Sequence, residues 1–211
     1  LSNGSIQRLD NFESKYLPSR NVDIWLPDQY NKKERYDVLY MHDGQMLFDK
    51  STTWNGQEWG VDERVGNLIT QGKIKKTIVV GIWNTPNRHS EYFPQKPFKL
   101  INEIEQEAIQ SYKNQDGSLI FKTEICSDNY LRFIVEELKP FVDKNYATNP
   151  KMENTFIAGS SMGGLISLYA VCEYPQVFSG AACLSTHWPG TSDTINNPVP
   201  IAFAEYLESN L

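Results

Sequence analysis

The segment Thr155-Phe-Ile-Ala-Gly-Ser-Ser161-Met-Gly-Gly-Leu-Ile166 decides the fold of this chain. Its first four residues form a short apolar run, which is typical of a buried strand. A Gly-x-Ser-x-Gly pattern follows at residues 159–163, the pattern of a nucleophile elbow, in which a strained strand-to-helix turn exposes a serine. Small residues suit both ends of this turn, because larger ones would collide with the neighbouring backbone. The segment therefore predicts that Ser161 is a nucleophile.

The residues after the motif favour the same interpretation. They suit a buried helix that ends before Pro175, with apolar positions at Leu165, Ile166, Leu168, Tyr169 and Val171. The N-terminus of this helix would point at Ser161 and stabilise negative charge developing there. An ordinary Gly/Ser turn is the alternative interpretation of the pentapeptide. The strand–turn–helix context favours the catalytic one.

Composition limits the classes of protein to which the chain can belong. Its 211 residues are 40% hydrophobic and 22% charged, which fits a single globular domain over 1–211 with a substantial core. A net charge of −6 argues against a nucleic-acid partner. No apolar run is long enough for a membrane span. Three scattered histidines and three scattered cysteines offer no metal-ligand or disulfide pattern, so we expect no metal and no cofactor.

Strand-like and helix-like segments alternate along the chain. Besides the segment before Ser161, apolar runs at 22–26, 38–41, 77–83 and 180–185 predict strands. Helical patterns cover 62–68, 101–112, 128–146 and 201–211, and Pro140 predicts a kink or an early stop in the third of them. This alternation predicts an α/β fold with a doubly wound, mostly parallel sheet and helices on both faces.

Two further motifs carry a resemblance to a known family. Tyr40-Met-His-Asp-Gly-Gln45 follows an early strand, and Asn87-Arg-His-Ser-Glu-Tyr-Phe-Pro94 follows the next. Together with the Ser161 elbow and the long helix before it, they resemble the α/β-hydrolase esterases. That group includes feruloyl and acetyl-xylan esterases, enterochelin esterase, S-formylglutathione hydrolase and the antigen 85 mycolyltransferases. The resemblance covers most of the chain and implies a serine esterase.

Two backbone N–H groups are expected to form the oxyanion hole. One belongs to Met162, the residue after the nucleophile. The second should come from the loop after the early strand, and the resemblance implies that it belongs to Gln45. A compatible interpretation of the segment from His42 to Gly44 is an ordinary turn, with Asp43 bonding the local backbone.

The proton acceptor is harder to place. In this fold the triad follows the order Ser, then Asp or Glu, then His, and His187 is the only histidine after Ser161. An inverted pair of His187 with Asp193 is one hypothesis. The other, which we favour, is that the gene product continues past Leu211 and carries its acid and histidine there. The strand at 180–184 would otherwise be an exposed sheet edge.

Several other residues are candidates for contacts with a substrate. His42, Asp43, His187 and Trp188 follow predicted strands, and residues just past strand ends line the ligand crevice of α/β sheets. Trp54, together with Trp59, could form an aromatic platform for a sugar or aryl group. Local packing is the alternative interpretation for each. In the second motif we expect an ion pair between Arg88 and Glu91, and a structural or rim position for His89.

The leading hypothesis is a serine carboxylic-ester hydrolase that forms an acyl-Ser161 intermediate. The resemblance suggests an acylated plant polysaccharide or a siderophore ester as substrate. An acyltransferase of the same fold is one alternative. A non-catalytic binding module that keeps the elbow and lacks the base is another. The resemblance and the first residue, Leu1 rather than Met, favour a periplasmic or secreted location over a cytoplasmic one.

Overall fold

The computed structural model describes residues 1–191 and 196–210, and its central feature is a single β-sheet. Within the described residues the sheet has six strands in the order β1-β2-β4-β3-β5-β6. Their bounds are β1 (Ser5–Phe12), β2 (Arg20–Leu26), β3 (Asp37–His42), β4 (Thr77–Ile82), β5 (Thr155–Ser160) and β6 (Gly180–Leu184). The four strands from β3 to β6 pair in parallel, whereas β1 and β2 pair antiparallel.

Burial explains which strands the sequence reveals. All six residues of β4 are buried, as expected for a central strand covered on both faces. β1 lies at an edge, and its residues are exposed or half-buried. Its sequence is mostly polar and has no apolar run, so this strand is not predicted from the sequence. The prediction of an α/β fold with a mostly parallel sheet is confirmed.

Helices fill the connections between the strands. They are α1 (Val61–Thr70), α2 (Arg88–Tyr92), α3 (Gln95–Phe98), α4 (Glu103–Gln110), α5 (Ser127–Arg132), α6 (Lys139–Asn145), α7 (Met162–Glu173) and α8 (Val199–Asn210). α2 and α3 are single turns within the polar segment after β4, too short for a periodic pattern to predict. The other helices lie where the sequence predicts them.

Pro140 does not end the long helix before β5. A π-helical segment, Phe133–Leu138, joins α5 to α6, and the helix continues to Asn145. A proline has no N–H to donate, and its ring crowds the carbonyl one turn earlier. A widened π turn just before Pro140 gives that ring room. The expected early stop is therefore wrong, because the preceding turn changes its geometry instead.

Alternate residues of the strands enter two separate apolar clusters. Val38 and Tyr40 of β3 belong to the larger cluster, which also contains residues of α5, α7 and α8. Met41 belongs to a smaller cluster on the opposite face, together with Val61 of α1. Both faces of the sheet are therefore held by packed helices. The carboxyl ends of β3, β4, β5 and β6 meet at one edge, and the loops that leave this edge carry the predicted site.

Candidate active site

The turn between β5 and α7 has the geometry of a nucleophile elbow. Ser161 adopts φ 58° and ψ −120°, a conformation that is strained for a residue with a side chain. Its N–H donates to the carbonyl of Leu184 at 3.0 Å, and its own carbonyl accepts from the N–H of Gly164 at 3.0 Å. Hydrogen bonds on both sides therefore hold Ser161 in this strained conformation.

Close contacts require glycine at Gly159 in the motif and at Gly164 directly after it. A β-carbon at Gly159 would lie 2.6 Å from the carbonyl oxygen of Gly163, so β5 and α7 touch here through backbone alone. At Gly164 a β-carbon would lie 2.8 Å from Oγ1 of Thr186. No real β-carbon approaches backbone so closely, so alanine at Gly159 would force the strand and helix apart.

The loop after β3 packs against the neighbouring strand in the same way. Its residues Gly44–Met46 form a 3₁₀ turn. A β-carbon at Gly44 would lie 2.5 Å from the carbonyl carbon of Gly81 in β4. The absence of a side chain lets the turn sit directly on the sheet edge. From there Gln45 lines the same cleft as Ser161.

Two N–H groups beside Ser161 are available for a ligand. Met162 is the first residue of α7, where helix geometry leaves the N–H without an intrahelical partner. Within residues 1–191 and 196–210, neither this N–H nor that of Gln45 donates a hydrogen bond. Gln45 is otherwise well anchored, since its carbonyl accepts from Thr52 Oγ1 at 2.6 Å and its Oε1 from the Asn84 N–H at 3.1 Å. These are the two N–H groups that the sequence predicts for the oxyanion hole, and Gln45 lines the same cleft as Ser161.

Asp43 binds side chains of the next loop rather than the local backbone. Arg88 donates a hydrogen bond to each carboxylate oxygen of Asp43, from Nε to Oδ1 at 2.7 Å and from Nη2 to Oδ2 at 2.8 Å. Asn84 Nδ2 adds a third hydrogen bond at 2.6 Å. Burial would raise the pKa of Asp43, but the hydrogen bonds and charge of Arg88, with help from Asn84, hold it below its ordinary value.

The expected ion pair between Arg88 and Glu91 is wrong. Glu91 instead binds Arg20 of β2 through two hydrogen bonds of 2.8 Å, and both side chains are fully buried. A buried guanidinium is costly without a carboxylate partner, so Arg20 engages Glu91 across the core. Arg88 is left to pair with Asp43. Neither pair was expected from the sequence, although the position of Asn84 and Arg88 after a buried strand at the site edge is a signal that could have pointed to the Asp43 partners.

His42 does not fit the predicted role of a substrate contact, because its ring is completely buried. Nδ1 lies 2.8 Å from the hydroxyl of Tyr130, and Nε2 has no partner among the described residues. Burial lowers the pKa of His42 to about 3, so the imidazole is neutral at physiological pH. It packs beneath the elbow, where its Cβ would lie 3.5 Å from a β-carbon on Gly163.

The other two histidines are also engaged elsewhere. The backbone N–H of His187 donates to the Ser161 carbonyl at 3.2 Å, but its Nε2 lies 3.1 Å from the carbonyl of Thr191. His89 packs edge-on against Phe121, and burial together with the charge of Arg88 lowers its pKa to about 4. Within the described ranges no imidazole hydrogen-bonds Ser161. The candidate acid Asp193 lies outside the described residues.

Ser161 opens into a cleft of about 550 Å³. The cleft is lined by Asp43, Gln45, Met46, Trp54, Asn55, Trp59, Asn84, Arg88, Ser160 and Ser161. Trp54 is 87% exposed at the rim, and Trp59 is partly buried. Trp188 is not in this wall but lines an apolar crevice with residues of α7 and α8. No group of described side chains could hold a metal ion, and no described helix is long and apolar enough to cross a bilayer.

Comparison with known proteins identifies the family. A family model described as "Putative esterase" matches residues 18–202. The chain belongs to this esterase family. Its fold is that of the α/β-hydrolase esterases.

Individual relatives agree with this assignment. The chain is 26% identical over 216 residues to an endo-1,4-beta-xylanase/feruloyl esterase of Xylanibacter ruminicola, a match covering 96% of this chain and 24% of that protein. It resembles the structure of an IroE-like serine hydrolase from Shewanella oneidensis, with a TM-score of 0.66, 25% identity, and coverage of 98% and 55% of the two chains. A ferulic acid esterase from Anaeromyces mucronatus shares the fold, with a TM-score of 0.57, 16% identity, and coverage of 100% and 80%.

The chain is shorter than many proteins that it matches. It spans 24% of the Xylanibacter ruminicola protein, and 59% and 58% of two relatives from Bacillus subtilis.

Proposed function

We propose that this protein is a serine carboxylic-ester hydrolase with Ser161 as its nucleophile. The observation that carries the proposal is the strained Ser161 at the N-terminus of α7, together with the N–H groups of Met162 and Gln45, which donate no hydrogen bond within the described residues. Ser161 Oγ forms a bond to the acyl carbon and gives its proton to a base, and the ester C–O bond then breaks. The alcohol leaves with a proton, and water hydrolyses the acyl-Ser161 intermediate.

Met162 and Gln45 stabilise the tetrahedral intermediates in this proposal. Removal of one oxyanion donor typically lowers kcat by about 10²- to 10³-fold. Both donors are main-chain groups, so a substitution at Met162 or Gln45 does not remove them. Their position depends on the surrounding contacts. The N-terminus of α7 adds a favourable potential for the developing negative charge.

The lining of the cleft supports an uncharged ester with a flat ring. The charged side chains Asp43 and Arg88 neutralise each other, so the described residues that line the cleft offer no unpaired charge to an anionic substrate. Trp54 and Trp59 offer aromatic faces, which suit sugar rings and aryl groups. The proteins named as feruloyl esterases among the relatives agree with this substrate class. We therefore propose that the substrate is a carboxylic ester on a polysaccharide, whose acyl group is aromatic or of another kind.

A non-catalytic binding module is the second candidate. It is favoured by the engagement of each imidazole elsewhere, since no base reaches Ser161 among the described residues. The proposal accordingly assigns neither His187 nor His42 as the proton acceptor. The two candidates differ in whether Ser161 is reactive, which can be measured directly.

The test uses the protein expressed from its whole coding sequence. We expect it to hydrolyse a nitrophenyl ester and methyl ferulate, and a fluorophosphonate probe should label it at Ser161, as located by peptide mass. Ser161→Ala should lose at least about a thousandfold in kcat, as nucleophile removal does elsewhere. Ser179→Ala is the matched control, because this hydroxyl contacts Thr155 at the opposite end of β5.

Each outcome separates the candidates. Unchanged hydrolysis in Ser161→Ala would refute Ser161 as the nucleophile. A wild-type protein that is folded, is not labelled and hydrolyses neither ester would favour the binding module.

A further inference from the structure

The backbone of Asp43 has an unusual conformation two residues before the proposed donor Gln45. Asp43 adopts φ 58° and ψ 45°, in the left-handed region that residues with a β-carbon seldom occupy. Its side chain does not cap the 3₁₀ turn that follows. The backbone of Asp43 is hydrogen-bonded to the Met46 N–H and to the Tyr92 hydroxyl, whereas its carboxylate must be restrained by residues from elsewhere in the chain.

The loop after β4 supplies that restraint through its side chains. The guanidinium of Arg88 meets both oxygens of Asp43 in a two-point contact, which fixes the orientation of the carboxylate as well as its position. Asn84 contacts this segment at two points, since its Nδ2 donates to Asp43 before the turn and its N–H donates to the side chain of Gln45 within it. We call Asp43, Asn84 and Arg88 the clamp.

Burial makes the clamp necessary. Asp43 is only 6% exposed, and a carboxylate in such a place is unfavourable without a charged partner. If Arg88 were removed, Asp43 would have to turn toward the cleft or take up a proton. Either change would relax the left-handed backbone and shift the following peptide groups, including the Gln45 N–H.

Other contacts would keep the loop folded when the clamp is lost. Without the clamp, Gly44 would still pack against the backbone of Gly81, and the Gln45 carbonyl would still accept a hydrogen bond from Thr52. The Met46 N–H also closes the turn onto the Asp43 carbonyl at 2.8 Å. Loss of the clamp should therefore displace the donor without unfolding the loop.

We propose that Arg88 is a positioning residue, which acts through Asp43 to aim the Gln45 N–H at the oxyanion. This inference rests on the proposed esterase function and assigns a role to a side chain outside the nucleophile and its donors. A donor out of place by about 1 Å can cost about a hundredfold in rate. The loss should be seen in kcat, because the oxyanion exists only in the transition state and intermediates.

The test compares Arg88→Met and Arg88→Lys in the protein expressed from its whole coding sequence. We expect Arg88→Met to lower kcat by about tenfold to a hundredfold, with KM within about twofold. Arg88→Lys should recover part of the loss, because it restores the charge but not the two-point contact. The rate at which a phosphonate labels Ser161 should fall in parallel with kcat.

Arg8→Met is the matched control. Arg8 makes the same two-point contact with Asp23, at 2.7 and 3.0 Å, and neither residue lines the cleft. We expect its kcat and KM to stay within about twofold of wild type. A loss of kcat in Arg8→Met equal to that in Arg88→Met would overturn the proposal, since the effect would then be a general loss of stability.

Chemical rescue separates positioning from a structural role. Arg88→Ala leaves a space beside Asp43, so guanidinium chloride should raise its kcat, whereas sodium chloride at equal concentration should not. If Arg88→Met does not fold, Asp43→Asn serves in its place, because asparagine tolerates the left-handed conformation and loses the charge. It should also lower kcat at constant KM.

Two results would overturn the inference while leaving the esterase function intact. One is a raised KM at unchanged kcat, which would make Arg88 a substrate contact. The other is wild-type kinetics in Arg88→Met while Ser161→Ala remains inactive. Activity in Ser161→Ala would instead refute the proposed function itself.

Discussion

The turn after β5 and the turn after β6 lie side by side, but they are built differently. Each contains a serine with positive φ, 58° at Ser161 and 44° at Ser185, and hydrogen bonds join them through Leu184 and His187. The first turn is enclosed by backbone contacts at Gly159 and by buried side chains beneath it. The second follows Leu184, which is 48% exposed at the end of the sheet.

The difference shows where the structure restricts conformation. At Gly159 the backbone of α7 lies so close that an added methyl group must displace the strand or the helix. Around Ser185 the chain is held mainly by backbone hydrogen bonds, and its side chains are half-exposed. The elbow should therefore tolerate few substitutions and the β6 turn many.

Alanine at two glycines of neighbouring strands gives the largest expected contrast. Gly159→Ala would bring a β-carbon to 2.6 Å from the Gly163 carbonyl oxygen, whereas at Gly180 the nearest atom would be 3.9 Å away, on Phe156. We expect Gly159→Ala to lose about 3 kcal/mol of unfolding free energy, together with its esterase activity, because the clash is with backbone. Gly180→Ala should stay within about 1 kcal/mol of wild type.

Denaturant unfolding followed by fluorescence, with ester hydrolysis on the same samples, measures both effects. Equal stability in the two variants would show that the elbow is no more constrained than β6.

The buried His42 beneath the elbow should make stability depend on pH. Burial lowers its pKa from 6.5 to about 3, so the unfolded chain takes up a proton that the folded protein excludes. The contribution of His42 to stability is therefore complete above pH 6.5 and falls as the pH drops toward 3, by about 1.4 kcal/mol per pH unit. His42→Gln, whose amide can still hydrogen-bond the Tyr130 hydroxyl, should lose this part of the slope. Unfolding free energies from pH 7 to 4.5 measure it, and identical slopes would contradict the prediction.

His187 in the β6 turn should give the smallest effect. Its ring contacts the Thr191 carbonyl rather than Ser161, so we expect His187→Ala to change kcat/KM by less than about threefold. Steady-state hydrolysis of a nitrophenyl ester measures this. A loss as large as that of Ser161→Ala would make His187 the base and would remove the contrast between the two turns.

Some elements could be predicted from the sequence because their causes are local. The runs at β2, β3, β4, β5 and β6 are apolar, since those strands are wholly or partly covered. β1 lacks that signal because it lies exposed at an edge. Pro140 was expected to disturb its helix, but whether a helix stops or forms a π turn depends on the packing around it.

The side-chain partners in the site could not be predicted in the same way. Arg88 was paired with Glu91 because the two are close in sequence, yet Arg88 binds a residue 45 positions away and Glu91 one 71 positions away. His42 ends β3 and Trp188 lies in the loop after β6, but the first is buried beneath the elbow and the second lines a different crevice. Short separation along the chain says little about contacts in a folded core.

By itself, the sequence determined the strand, the strained turn and the helix that present Ser161. The backbone angles of this turn are restricted by steric contacts between residues a few positions apart. A five-residue pattern is therefore enough to predict the turn. Only the tertiary structure decided which groups surround that serine. A charged or polar atom that is buried without a partner destabilises the folded state, so the fold pairs these atoms with one another. The partners come from distant parts of the chain.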